Sequence, residues 1–552
     1  MKKTNALLSV MTMALLLAGC TGGSSSEASS SEASSSTSSS ETSSTPSSSE
    51  VSSASSSSSS EASSSASSSS EALPSFEETG DGFYKPTEFA FTGLDYQVQA
   101  ETFVLESTGT QKLLVIPVEF TDYPASALDD QGGETTRQKI QDLFFGEAED
   151  TAWESVSSFY EKSSYGALNL TGTVTPWFQS GMTAEEFATL EPSGDYADYY
   201  EPTWSMGTAA IEWYKQYTGS DLKEFDQNSD GFIDAVWMVY SAPNQTNGVG
   251  YSADVADVMW AYVYWNYNNY NAADVDDPKP FTYGWASYDF MYEGYGDTQI
   301  DAHTFIHETG HLMGLDDYYT YDGKSDWGAA GAIDMMDNNV ADHNGYSKMV
   351  LDWILPTVID GTKNSVTLTM TPFQDSGDVI IIGNDWNGSA FDEYLMLEFY
   401  TPTGLNEKDS TVRYSNNRKA MTQPGIKLYH IDSRLGKHDY NTGAFLGYTD
   451  TLSNGTGAYA YIAQSNTASR SQDSTHKLVH LIEGNGSFFF KSSQSPTATN
   501  STLFQAGDSF NPTTFAKFFN GGKMNDGSDL RFSFTVDAMS ATEATVTFRR
   551  LK

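Results

Sequence analysis

His307-Glu-Thr-Gly-His-Leu-Met-Gly-Leu-Asp-Asp317, preceded by Asp301-Ala-His-Thr-Phe-Ile306, is the stretch on which the fold and the chemistry turn. On a helix, His307 and His311 lie one turn apart on one face, so both imidazoles reach a single metal ion. Glu308 lies beside them, close enough to touch a water held at that ion. Asp301 is placed to cap the helix, and Ala302, Phe305, Ile306, Leu312 and Met313 supply its apolar packing positions. Gly314 permits the left-handed turn that ends the helix and returns the chain toward the ion. A carboxylate at Asp317 then completes three protein donors, and a catalytic zinc site keeps its fourth position for water. The chain has 8 His in 552 residues. At that density a chance His-Glu-x-x-His arises on the order of one time in a hundred, so the spacing points to Zn2+ and a general base.

At the other end, Lys2 and Lys3 precede an apolar run from Ala6 to Leu17, followed by Ala18-Gly19-Cys20. The run is short for a membrane span, and small residues before Cys20 suit a peptidase cut, so the segment reads as an export signal. It resembles a bacterial lipoprotein signal. That resemblance implies a lipidated Cys20 at the mature N-terminus, anchored in the cell membrane and facing the extracellular side of the envelope. Cys20 is the only cysteine, which excludes intramolecular disulfides.

Residues 21–74 are almost entirely Ser, Ala and Thr, interrupted by Glu27, Glu32, Glu41, Glu50, Glu61 and Glu71. Such a segment buries too little apolar surface to offset the entropy of ordering, so a disordered tether is expected, with an r.m.s. reach of roughly 40 Å. Formal net charge is −44 for the whole sequence. That argues against nucleic acid and anionic lipid as partners, and favours solubility and bound cations.

The remaining length is too great for one core, so two domains are expected, 75–358 and 359–552. In the first, Leu113–Phe120 reads as a buried strand, Gln138–Phe145 as a short amphipathic helix, Ser155–Gly166 as a helix stopped by glycine, and Leu168–Val174 as a strand. Asp226, Asn228, Asp230 and Asp234 are spaced around Gly231 like the oxygen donors of a Ca2+ loop, although Trp237 stands where a closing Glu belongs. The same spacing suits an acidic turn leading into a strand over Ala235–Tyr240. The Tyr/Trp-dense run Met259–Tyr270 favours packing over peptide binding. From about Val366 the texture becomes strands divided by Gly, Asn, Asp and Ser turns: Val366–Met370, Val379–Ile382, Tyr394–Phe399, Ile426–Ile431, Leu478–Ile482, Leu530–Val536 and Ala544–Phe548. No helix of any length is expected there, and His430, His476 and His480 lack spaced partners for a metal.

Several blocks carry a resemblance. Leu113–Phe120, Phe159-Tyr-Glu-Lys-Ser-Ser-Tyr-Gly166, the acidic turn before Ala235–Tyr240, the His307 motif, Asp334-Met-Met-Asp337, His343-Asn-Gly-Tyr-Ser-Lys348 with Trp353, Glu393–Glu398 and Pro424–Asp432 resemble the immune-inhibitor-A type bacterial zinc metallopeptidases, relatives of the metzincins. Departures are Asp316, where such sequences often carry Pro, and Thr320, where they often carry Asp. The resemblance implies zinc ligation by His307 and His311, catalysis by Glu308, and Met336 in a tight turn beneath the metal. It further implies an α+β metzincin-like catalytic domain, followed here by a β-sandwich-like all-β domain. His343 and Tyr346, shortly after that turn, are candidates for a second oxyanion donor. The expected activity is zinc-dependent hydrolysis of peptide bonds in extracellular proteins or peptides. A surface-anchored binding protein or adhesin with a structural metal site is the rival from another class; such sites usually fill all four positions with protein donors and have no use for Glu308.

Overall fold

Leu113 to Val118 are apolar without alternation apart from Pro117, and Val236–Tyr240 is the same, the signature of strands covered on both faces. In the computed structural model these become β1 (Gly109–Glu119) and β3 (Val236–Tyr240), hydrogen-bonded in parallel at the centre of a sheet. The model describes residues 78–551 except 101–102, 191–200, 245–257, 267–268, 295–298, 322–325, 415–417, 440–441, 443, 450–457, 462–464, 468–475 and 494–495. The expectations for the signal, Cys20 and the tether lie outside the described residues.

Around β1 and β3 the sheet continues with β2 (Leu168–Val174), β4 (Tyr262–Trp265) and β5 (Thr282–Ser287), in the order β2-β1-β3-β5-β4, and the short strand Phe178–Gln179 also pairs with β1. All neighbours are parallel except β4, which runs antiparallel along the edge. Side chains leave alternate faces. Leu113, Val115, Trp237 and Val239 join one core with α1 (Glu134–Phe145), α2 (Val156–Ser163) and α4 (His303–Leu312). Leu114, Ile116, Val118, Met238 and Tyr240 join a second core with Trp204, Met206 and Ile211 of α3 (Glu201–Thr218). The aromatic run packs as expected: Tyr262 and Tyr264 are buried in this second core, Tyr262 stacked on Trp285 at 5.5 Å. α2 begins where Ser155 accepts Ser158 N–H in a reciprocal capping box.

Most of the later strands form two layers, apart from a small three-stranded sheet of Gly436–Asp439, Phe445–Tyr448 and Ala458–Tyr461. A six-stranded sheet runs Phe83–Tyr84, β6 (Thr357–Ile359), β7 (Val379–Gly383), β8 (Glu393–Tyr400), β9 (Gly425–Asp432) and β10 (Val479–Ile482). A four-stranded sheet is built from Ser365–Met370, Ala544–Arg550, Phe532–Met539 and Ser509–Phe510. The six-stranded sheet serves both sides. Val379, Ile381, Met396, Tyr429 and Ile431 face the core that contains α4, whereas Ile380, Ile382, Leu395, Leu397 and Leu428 face Val536, Val546 and Phe548 of the outer sheet. Thr79–Lys552 accordingly belong to one compact unit. Helices and strands are mixed in it, as an α+β fold requires. The C-terminal part is β-rich but also carries helices, among them α7 (Leu405–Thr411), where the sequence suggested none. That helix is polar and short, without an amphipathic repeat to announce it.

Candidate metal centre

α4 starts at His303, with Ala302 rather than Asp301 in the capping position; Asp301 still accepts the His303 N–H, at 3.1 Å. The helix ends at Leu312, and Gly314 follows at φ +90°, where a Cβ would come within 2.2 Å of the Gln97 amide. This turn carries the chain back to the two histidines, placing Asp317 beside both rings. Among the described residues, one group of His and carboxylate side chains can share an ion: His307, His311 and Asp317, with donor atoms within 4.8 Å of one another.

Both imidazoles are held in one tautomer. His307 Nδ1–H donates to the Met335 carbonyl at 2.7 Å, and His311 Nδ1–H to the Leu315 carbonyl at 2.7 Å. Each Nε2 therefore presents its lone pair inward. Asp317 Oδ1 lies 3.1 Å from His307 Nε2 and 3.2 Å from His311 Nε2. Its other oxygen, Oδ2, accepts the Tyr321 hydroxyl at 2.9 Å. Burial acts to raise the Asp317 carboxyl, but His311 and His307 outweigh it and hold the group well below the usual carboxylate range. Two nitrogens and one carboxylate oxygen, converging with lone pairs exposed, are the donor chemistry of a catalytic zinc site.

Glu308 is buried beside them, and desolvation raises its pKa against the pull of His307 and His311. Met336 lies in α5 (Met335–Asn338), started by Asp334, whose Oδ1 accepts Met336 N–H at 2.9 Å. Its sulfur packs against α4 at Gly310, where an added Cβ would meet Sδ at 2.8 Å. Glycine between the two histidines thus lets the methionine turn approach. His343 and Tyr346 are not brought into the group. His343 is buried among the rings of Phe159, Tyr160 and Trp353, with no hydrogen-bond partner for either nitrogen among the described residues, and burial holds its pKa well below normal. Tyr346, in α6 (Gly345–Val350), is buried with its ring 6.2 Å from that of Tyr318.

The acidic loop stands apart from this centre. Asp226 Oδ1 accepts Asp230 N–H, Asp226 Oδ2 accepts Gly231 N–H, Asn228 Oδ1 accepts Asp230 N–H and Asp234 Oδ2 accepts Gln227 N–H. Burial, with the charges of Asp230 and Asp226 adding to it, raises Asp234 to about 7. The three late histidines are held by other means: His430 Nε2 meets Glu393 Oε1 at 2.8 Å, His476 Nδ1 meets the Tyr448 hydroxyl at 2.8 Å, and His480 packs against Trp327 and Phe488.

Residues 99–338 match the model of the immune inhibitor A peptidase M6 catalytic domain. This stretch is similar to the catalytic domain of the immune inhibitor A peptidases. A relative from Bacillus thuringiensis subsp. alesti, named Immune inhibitor A, is 25% identical over 251 residues. The matched region covers 38% of this chain and 34% of that relative, so the chain spans about a third of the relative's length. The match to the immune inhibitor A family takes in α4, Asp317 and Met336 and ends before His343.

One device inside that region escaped the sequence reading. His303 sits one turn before His307, with its Nδ1 2.9 Å from Asp301 Oδ1 and its Nε2 3.3 Å from Asp409 Oδ2 of α7. Trp153 and Tyr414 stack on its two faces at 4.1 and 4.2 Å. Burial acts to lower its pKa, but Asp301 and Asp409 prevail and push it up to about 10. Both nitrogens donate only in the imidazolium, which joins the start of α4 to the C-terminal part. The signal was His at i, i+4 and i+8; the partner Asp409 lies too far along the chain to be guessed. Replacing His303 with leucine leaves two buried carboxylates without their cation and is expected to cost about 3–5 kcal/mol in denaturant unfolding. His303→Leu combined with Asp409→Asn should recover part of that loss. The stabilisation from His303 is full below its unfolded pKa of about 6.5 and is lost as pH rises through about 10.

Proposed function

We propose that the chain is a zinc-dependent endopeptidase. The observation that carries this reading is the convergence of His307 Nε2, His311 Nε2 and Asp317 Oδ1 beside a buried Glu308. His307, His311 and Asp317 would hold zinc, which when bound would supply a Lewis acid that lowers the pKa of water from 15.7 to about 7. Glu308 takes the proton from the attacking water and returns it to the leaving amine; its raised pKa brings it nearer the working range of a general base. The backbone carbonyls of Met335 and Leu315 hold the Nδ1 protons of the two histidines, so neither ring turns away during the reaction. Three protein donors, not four, make up the group among the described residues, which favours a catalytic site over a structural one. Casein zymography tests the assignment: a chelator should abolish clearing and added Zn2+ should restore it. Clearing that persists in the chelator would overturn it.

Extracellular proteins or peptides are the proposed substrates, and Cys20 the proposed lipid anchor, on the strength of the lysine pair, the apolar run and Ala18-Gly19-Cys20. Among the described residues no helix is long and apolar enough to cross a membrane. Detergent-phase partition of the full chain, lost in Cys20→Ser, checks the anchor. Residues 359–552 are proposed to back the catalytic region through the six-stranded sheet.

Ca2+ is proposed for the loop of Asp226, Asn228, Asp230 and Asp234, because its carboxylates repel one another while their backbone bonds fix the turn. Asp234 has a folded pKa of about 7, above its unfolded value, so without Ca2+ this group favours folding at low pH and loses that contribution as pH rises toward 7. Added Ca2+ should therefore raise the melting temperature more at pH 8 than at pH 6. A melting temperature indifferent to Ca2+ at both pH values would make the loop a turn only.

A further inference from the structure

Two of the three donors sit on a rigid helix, but Asp317 does not. It lies beyond the Gly314 turn, so its position depends on what grips the following residues. Tyr318 is gripped first from the methionine turn: its N–H donates to the Met336 carbonyl at 2.8 Å, and its hydroxyl meets Ser347 Oγ at 2.7 Å. The opposite side is held by the segment Ser465-Asn466-Thr467, far along the chain and close before β10. Asp317 pairs with Ser465 in an isolated parallel bridge. Asn466 Nδ2 donates to the Tyr318 carbonyl at 2.8 Å and to the Val479 carbonyl of β10 at 2.7 Å, while its Oδ1 accepts Val479 N–H at 3.0 Å. Thr467 Oγ1 accepts Tyr321 N–H at 2.9 Å, and Tyr321 in turn donates to Asp317 Oδ2. Ser465, Asn466 and Thr467 are all buried.

We propose that Ser465-Asn466-Thr467 is a positioning clamp that holds the Asp317 loop in ligating register, so that zinc affinity depends on the C-terminal part of the chain. The inference rests on the assignment of Asp317 as a zinc donor. Its physical content is the Asn466 amide, which ties the residue after the donor to a strand of the six-stranded sheet. Thr467 adds a second tie through Tyr321, reaching the carboxylate oxygen opposite the one that faces the histidines. Neither Asn466 nor Thr467 is a catalytic residue, since neither belongs to the donor group; they act through Tyr318 and Tyr321. Removing a partner that orients a metal ligand usually lowers affinity about 10- to 100-fold.

The test is the zinc dissociation constant of the purified full chain, measured by competition with a chromophoric chelator. Asn466→Ala should weaken zinc binding about 10- to 100-fold, and Thr467→Val, which keeps the side-chain shape but removes the acceptor, by several-fold or more. Thr467→Ser retains the acceptor and should bind as the parent does. Thr547→Val in the outer sheet, also buried, controls for general loss of stability and should leave affinity unchanged. Should Asn466→Ala fail to fold, the Thr467 pair carries the test alone. Affinity within twofold of the parent in folded Thr467→Val, or an equal loss in Thr547→Val, would overturn the clamp while leaving the zinc site standing. Absence of zinc binding in the parent chain would overturn both.

Discussion

Glu308→Ala should leave zinc in the protein and remove proteolysis. Glu308 is adjacent to His307 in sequence but does not belong to the group whose donor atoms converge. Its carboxylate has a separate task, and the two are separable by measurement. Loss of a general base costs about 10² to 10⁴ in rate, whereas the tautomers of His307 and His311 are set by Met335 and Leu315, which the substitution does not touch. Zinc content by mass spectrometry and kcat/KM on a peptide substrate report the two halves. Full activity in the variant would sink the mechanism, and loss of zinc together with activity would show that Glu308 has a binding role.

Asp317→Ala should behave in the opposite way, with zinc and activity falling together. Among the described residues its Oδ1 is the one carboxylate oxygen within about hydrogen-bonding distance of both Nε2 atoms, at 3.1 and 3.2 Å. Without it, two imidazoles remain, too few for the three protein donors of a catalytic zinc site. Asp322, another acidic residue shortly downstream, lies outside the described residues, and Asp322→Ala should retain zinc. Tyr321→Phe offers a graded case, because it removes the hydrogen bond to Oδ2 and leaves the carboxylate in place. If zinc is lost in Asp322→Ala and kept in Asp317→Ala, the third donor has been assigned to the wrong residue.

The metal group could be read from sequence because its geometry is local. Helical spacing puts His307 and His311 on one face, and a single glycine reverses the chain before Asp317. Strands were equally legible where apolar runs are bounded by turns: Val379–Ile382 and Ile426–Ile431 each fall within observed strands. What sequence could not supply is long-range pairing. The expected Leu530–Val536 strand begins at Phe532, because its partner Arg550 fixes the register. Asp409 meets His303, and Asn466 meets Tyr318, only because the six-stranded sheet brings the C-terminal part against α4. The helix of Asp409 has no apolar period of its own; tertiary contact decides it.

The six-stranded sheet is the inner wall of two hydrophobic cores, one holding α4 and one filled by the outer sheet. Cores that share a wall melt together, so heat or denaturant should give one transition, not a loose catalytic part surviving a lost C-terminal part. The same wall imposes an order on synthesis. Strands β7 to β10, four of the six in that wall, emerge from the ribosome well after α4, and a helix with an apolar face but no backing is unstable alone in water. A metal centre assembled this way stays incomplete until most of the chain has been made.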